Sequence, residues 1–428
     1  MLGIILGLLL LMILAFRGWS IVWIAPICAL VVAIFGGLDL LLAYTETYMG
    51  GFVGFTKSWF PAFLLGAIFG KLMEVTGAAQ SVAQFLVKVI GAKRAILAVV
   101  IGCAILTYGG ISLFVVVFAI YPIALAIFRE ANITRKLIAG AIALGAFTFT
   151  MTALPGTPQI QNLIPMEYFG TTPIAAPIMG IVAAAFMLIT GYLYLLWKQK
   201  KWEEKGEFFT EPDNANVIEI DPENLPSPII SFIPLIAVII TLNVFEWDIV
   251  PALLSGIILT MIFNISKKEK FIEAINSGAS GSIGSIVNTS AAVGFGTVVQ
   301  AVPGFATLTG LMMKIQGSPL ISEAIAVTVL AGATGSASGG MGIALEALGS
   351  QYVQIATQTG ISPEAFHRVA ALASGGLDTL PHNGAVLTLL SVTGLTHKDS
   401  YSDIFILCCV IPLLATAVAI LLASIGLV

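Results

Sequence analysis

Two helix breaks constrain this chain more than any other feature. Leu154-Pro155-Gly156-Thr157-Pro158 and Leu380-Pro381-His382-Asn383-Gly384 each interrupt a long apolar stretch, and Pro155 and Pro381 stand 226 residues apart. Proline lacks an N–H and clashes with the preceding turn, and glycine holds helical geometry poorly. The surroundings are hydrocarbon-like: 58% of residues are hydrophobic and 10% charged, against about 25% charged in a soluble domain. The chain therefore reads as an all-α polytopic membrane protein. A break inside a bilayer leaves backbone polar groups unpaired unless it faces protein or a water-filled cavity. Two breaks at matching places in two halves point to a transporter binding site.

The pattern around the breaks repeats. Leu2–Phe16, Trp19–Ala43 and Ser58–Val75 read as spans, with a polar stretch around Glu46 and Lys57 before the third. Ala78–Ile90 has apolar residues on one helical face, as a helix lying in the interface does. Two apolar arms, about residues 95–128, join through Thr107-Tyr108-Gly109-Gly110-Ile111-Ser112, and basic residues flank both outer ends. This predicts a re-entrant hairpin. A broken helix follows over about 137–166, then a span at Ile174–Trp197. At an offset of 226, Ser81–Gly91 lies over Thr307–Gly317, Ser112 over Ser338, and Pro155 over Pro381. The expected organisation is a first inverted repeat at 1–197, a cytoplasmic linker at 198–227 and a second inverted repeat at 228–428. The second repeat has its hairpin at about 319–358 and its broken helix at about 363–395. Loop lysines and arginines place Arg17, Arg129, Lys136 and Lys198–Lys205 inside with Lys267 and Lys398, and Glu246 and Asp248 outside. Arg368, with His367, falls at the outer end of the second broken helix as an exception.

The two hairpin tips and two breaks are expected to converge near the midplane. Helix N-termini there offer free N–H groups and a favourable dipole to an anion. The candidate substrate-binding residues are Gly109, Gly110, Ser112, Gly156, Thr157, Gly335, Ser336, Ser338, Gly339, His382 and Asn383. Carbonyls freed at the breaks are candidates to hold a cation. His382 is the one histidine expected at membrane depth, since His367 and His397 sit at span ends, and ionisable groups there are functional candidates. His382 and Asp378 are the candidate coupling residues, with capping of the second half-helix an alternative role for Asp378. Glu74, beside Lys71, is expected to be structural or interfacial, and Asp39 and Glu346 are weaker candidates. Neither a tip nor a break carries Lys or Arg, which favours a small monocarboxylate. The cysteines, Cys28, Cys103, Cys408 and Cys409, have no metal-like spacing and read as core. No nucleotide-binding motif and no nucleophile–base grouping is present, so neither an ATP-driven pump nor an enzyme is expected. No cofactor, metal or nucleic acid is called for.

The order of interfacial helix, Gly-Ser hairpin and broken helix, repeated in inverted form, resembles the ion transporter superfamily. Within it, Ser374-Gly375-Gly376-Leu377-Asp378-Thr379-Leu380-Pro381-His382-Asn383-Gly384 and Thr393-Gly394-Leu395-Thr396-His397 resemble the gluconate permease family, as does Pro155-Gly156-Thr157-Pro158. That family often has a Pro-His-Pro-rich first break, and this chain has no histidine there. The resemblance implies a multi-pass protein of the bacterial inner membrane that imports sugar acids or small hydroxy acids such as 3-hydroxybutyrate with protons. It also implies a homodimer with a fixed scaffold and a moving transport part. Sodium coupling and a passive anion channel on the same frame stand as alternatives.

Overall fold

The computed structural model describes residues 2–17, 19–212, 225–307, 318–381 and 383–428. Among these residues the regular structure is helical throughout, without strands. The first half runs α1 (Leu2–Phe16), α2 (Ile21–Gly36), α3 (Leu40–Val75), α4 (Ala78–Ile90), α5 (Ala95–Tyr108), α6 (Leu113–Glu130), α7 (Ile138–Ala146), α8 (Ile160–Phe169) and α9 (Pro177–Glu204). The second runs α10 (Pro228–Asn243), α11 (Ile249–Phe263), α12 (Phe271–Ala301), α13 (Pro319–Thr334), α14 (Ala337–Thr359), α15 (Pro363–Ser374), α16 (Gly384–Thr393) and α17 (His397–Ser424). Long apolar helices with exposed side chains such as Leu41, Ile189, Leu193 and Ile229 suit a hydrocarbon surround. This is a multi-pass membrane protein.

Two boundaries differ from the sequence reading. The stretch around Glu46 and Lys57 is not a loop: α3 is one 36-residue helix with a π-turn at Ala43–Tyr48. Packing against α12 carries it through, and its polar residues take the exposed side. Asp39 caps its start, accepting from Leu42 N at 2.9 Å. The start of the expected linker is also helical, since α9 continues to Glu204. After it, Glu207 pairs with Lys136 at 2.8 Å and Glu211 with Arg129 at 2.6 Å, so the chain folds back over the hairpin's outer end. The hydrogen bonds from Arg129 hold the Glu211 carboxyl below its ordinary range. The expected second interfacial helix, over 308–317, lies outside the described residues.

The expected interfacial helix α4 meets the segment Ala92–Tyr108 at 97°. The elements of the two halves recur close to the 226-residue offset. The pairs are α3 with the segment Ile265–Ala301, α5 and α6 with α13 and α14, α7 and α8 with α15 and α16, and α9 with α17. α3 and α12 lie together and run antiparallel. Gly51 meets Thr297, Thr56 Oγ1 and Ser290 Oγ are 2.8 Å apart, and a Cβ on Gly278 would fall 2.8 Å from Ile68 Cα. The offset carries Gly51 to Ser277 and Ile68 to Gly294, so the two ends of this crossing exchange. A two-fold relation between the helices requires that exchange.

Candidate functional site

Each hairpin tip turns at glycine. Gly110 has φ +94° and Gly335 φ +60°, values that side chains rarely adopt. Beyond each turn a helix begins, with Ser112 and Ser336 at the N-cap positions. Ser336 Oγ accepts from Gly339 N at 3.1 Å, while Ser112 makes no side-chain cap bond. The first tip therefore leaves its N-terminal N–H groups less satisfied than the second.

Each tip is tied to the break of its own half by an amide side chain. Gln159 Nε2 donates to Thr107 O at 2.7 Å and Ile111 O at 3.3 Å. Asn383 Nδ2 donates to Gly335 O at 2.8 Å and Asp378 O at 2.9 Å. Asn383 also caps α16, its Oδ1 accepting from Ala385 N at 2.7 Å and Val386 N at 2.9 Å. The cap is therefore Asn383, and Asp378 is left for another role.

Several of the carbonyls freed at the breaks, candidates to hold a cation, each accept a hydrogen bond. At the first break, Pro155 O accepts from Tyr108 OH at 2.9 Å, Gly156 O from Asn243 Nδ2 at 2.9 Å and Thr157 O from Asn162 Nδ2 at 3.0 Å. At the second, Thr379 O accepts from Tyr401 OH at 3.3 Å, and His397 Nε2 stands 3.1 Å from Pro381 O. A buried carbonyl without a partner is costly, so each break recruits side chains from distant helices.

The tips and the second break open into one cavity of about 880 Å³. Gly110, Ser112, Gly335, Ser336, Ser338, Gly339, Asp378, Thr379 and Asn383 line it, with Pro158 and Gln159 from the first break. Three expected residues stand outside its wall. Gly109 packs against Leu235, Gly156 against Asn243, and Thr157 is fully buried with an unpartnered hydroxyl. His382 lies outside the described residues. Asp378 is 4% exposed and its Oδ1 has no hydrogen-bond partner among the described residues.

Sequence reasoning missed one wall of this cavity. Ser277, Ser282, Ser285 and Asn288 line it from α12 at spacings of five, three and three residues, with Thr289 beside Asn288, all along one side of the helix. Thr289 Oγ1 lies 3.3 Å from Ser338 Oγ, joining that wall to the second tip. The spacing of these polar residues in an apolar helix was a readable signal. Lys71 and Glu74 line the cavity from α3, paired at 2.8 Å. Lys71 is the one basic residue in the wall among the described residues.

His367 and Arg368 stand in the first turns of α15, and both are 0% exposed. Arg368 donates to Ala175 O through Nε at 3.2 Å and Nη2 at 2.6 Å, and to Asn162 Oδ1 through Nη1 at 2.9 Å. His367 Nδ1 lies 2.6 Å from Thr171 Oγ1 and its Nε2 3.3 Å from Asn162 Oδ1. They bind the second broken helix to the first rather than facing the cavity. Glu346 accepts from Tyr168 OH at 3.1 Å, and the four cysteines are free and buried.

Comparison with known proteins agrees with this geometry. A profile described as GntP family permease matches residues 1–247. A transporter of Bacillus subtilis (strain 168), the uncharacterized YxjC, is 46% identical over 94% of each chain. An uncharacterized transporter of Haemophilus influenzae is 28% identical over 46% of this chain and 45% of its own. The crystal structure of the Alcanivorax borkumensis YdaH transporter, described as having an unusual topology, covers 91% of this chain and 90% of its own. Its TM-score is 0.60 at 15% identity, which is a likeness of fold.

Proposed function

This chain belongs to the GntP permease family, and on that premise we propose that it is a secondary active symporter importing a small organic monocarboxylate, a hydroxy acid or sugar acid, with protons. The observation that carries the reading is the cavity at the meeting of two helix-start tips and a broken helix, with Asp378, whose Oδ1 has no partner among the described residues, in its wall. The substrate carboxylate takes the N–H groups of the tips near Gly110, Ser112, Ser336 and Ser338, with Lys71 supplying the positive charge. The hydroxyls and amide of α12 suit the substrate's own hydroxyls. Asp378 binds the proton, with His382 of the same break as its sequence-derived partner. Protonation there raises anion affinity, and by reciprocity the bound anion raises proton affinity.

Two features favour protons and alternation over sodium or a passive channel. The carbonyls of Pro155, Gly156, Thr157 and Thr379 already accept a bond, while Asp378 Oδ1 does not. The cavity touches α3 only at Ala62–Glu74 and α12 only at Ser277–Ala292. Beyond it the pair packs closely at Gly51–Thr297. An inverted repeat would build the second access state from the same contacts in the other half.

The test is accumulation of radiolabelled gluconate, 3-hydroxybutyrate and lactate in proteoliposomes under an imposed pH gradient without sodium. Uphill uptake of one of them is expected, and Asp378→Asn abolishes it. Downhill equilibration alone would identify a channel, and uptake that requires sodium would replace the proton.

A further inference from the structure

Glu323 stands in the first turns of α13, the arm that leads to the second hairpin tip. It is 0% exposed, and neither Oε1 nor Oε2 has a hydrogen-bond partner among the described residues. The polar groups of the elements packed on this arm are engaged elsewhere. Tyr352 OH of α14 lies 3.4 Å from Ser322 Oγ, and Glu346 accepts from Tyr168. On α15, Glu364 accepts from Ala176 N, and His367 and Arg368 reach Thr171, Asn162 and Ala175. Two further neighbours, α1 and the Ile411–Ser424 part of α17, carry no titratable side chain. No lysine or arginine pairs with Glu323 among the described residues.

A lone carboxylate in such a place is far less stable than the neutral acid, so the group holds a proton rather than a charge. An acid kept solely for packing has no reason to be an acid, since leucine or glutamine fills the same space. We propose that Glu323 is a second proton-binding site of the transport cycle, distinct from the cavity and loaded in the conformation seen here. It lies 11 residues from Thr334, about 16 Å along the helix, and so does not touch the substrate. It acts through the hairpin: motion of α13 against α15 that admits water to this turn releases the proton, and the tip is carried by the same helix. The inference rests on the symport reading, and its test separates the two.

The experiment compares wild type with Glu323→Gln, which keeps the size and neutrality of the protonated acid. The infrared difference spectrum at neutral pH is expected to show the carbonyl band of a protonated carboxylic acid, present in wild type and lost in the variant. Glu323→Gln is expected to retain counterflow of radiolabelled gluconate or 3-hydroxybutyrate within about twofold of wild type. Accumulation driven by a pH gradient should fall at least about tenfold. A missing band overturns the proposal. So does a variant that accumulates as wild type does, or one that loses counterflow and accumulation together. A wild type that accumulates none of gluconate, 3-hydroxybutyrate and lactate from a pH gradient fails the symport reading, and the band then still decides whether Glu323 holds a proton.

Discussion

Asn162 Oδ1 accepts a hydrogen bond from Arg368 Nη1 at 2.9 Å, with both residues fully buried. One belongs to the second arm of the first broken helix and the other to the first arm of the second. A charge-assisted bond thus ties the two broken helices to each other. Asn162→Ala would leave that guanidinium N–H unpaired, together with Thr157 O, which Asn162 Nδ2 now serves; Pro173 O would keep only its bond from Gly156 N. The expected loss is about 2–3 kcal/mol of stability, read as a lower melting temperature in detergent. An unchanged melting temperature would show that the lock is not formed.

The tips tolerate no side chain where the anion is proposed to bind. A Cβ at Gly339 would fall 3.2 Å from Ser336 Oγ, and one at Gly110 would fall 3.2 Å from Pro158 Cγ on a backbone with φ +94°. Gly110→Ala and Gly339→Ala are expected to weaken substrate binding at least about tenfold, or about 1.4 kcal/mol, while expression stays at wild-type level. Calorimetric titration of the purified variants with the transported acid is the measurement. Unchanged affinity in both would remove the tips from the site.

Asn383 caps a helix and ties a tip to a break, and the two roles are separable. Serine retains capping ability but does not reach Gly335 O and Asp378 O as an amide does. Asn383→Ala should lower stability by about 1–2 kcal/mol. Asn383→Ser should recover most of that loss yet stay as defective in uptake as alanine. If serine restores uptake along with stability, the tie to Gly335 has no part in transport.

Lys71 is the cation proposed for the substrate carboxylate, and it pairs with Glu74 at 2.8 Å. Lys71→Gln is expected to raise KM about tenfold with a smaller change in maximal rate, as loss of uniform binding does. Initial uptake rates over a concentration series give the answer. A change confined to the maximal rate would place Lys71 in gating rather than binding.

The proposed inversion of the two halves has a topological readout. Single cysteines at Lys201 and Trp247 should react with an impermeant maleimide from opposite sides of the membrane. The four native cysteines are buried, which keeps background labelling low. Labelling of both from the same side would end the inverted arrangement.

The local rules of the chain already determined its helices and their interruptions. Proline, glycine and the spacing of apolar residues act within a turn or two. The bend after Ala78–Ile90, the two hairpins and the breaks at Pro155 and Pro381 were accordingly legible. So was the convergence of Gly110, Ser112, Ser336, Ser338 and Asn383, because a constant 226-residue offset ties the halves together. Only the tertiary structure decided what each polar group does once buried. The partners of the break carbonyls come from 47 residues away for Tyr108 with Pro155 and 87 for Asn243 with Gly156. No local pattern links such residues. Arg368 looks from sequence like a charge for the membrane edge, because hydropathy weighs it against lipid. Inside the protein it is weighed against Ala175 O and Asn162, whose hydrogen bonds replace its water. Asp378 is the reverse case. Its position beside a break made capping plausible, but the amide of Asn383 reaches the free N–H groups, and Asp378 is left facing the cavity with an unpartnered oxygen.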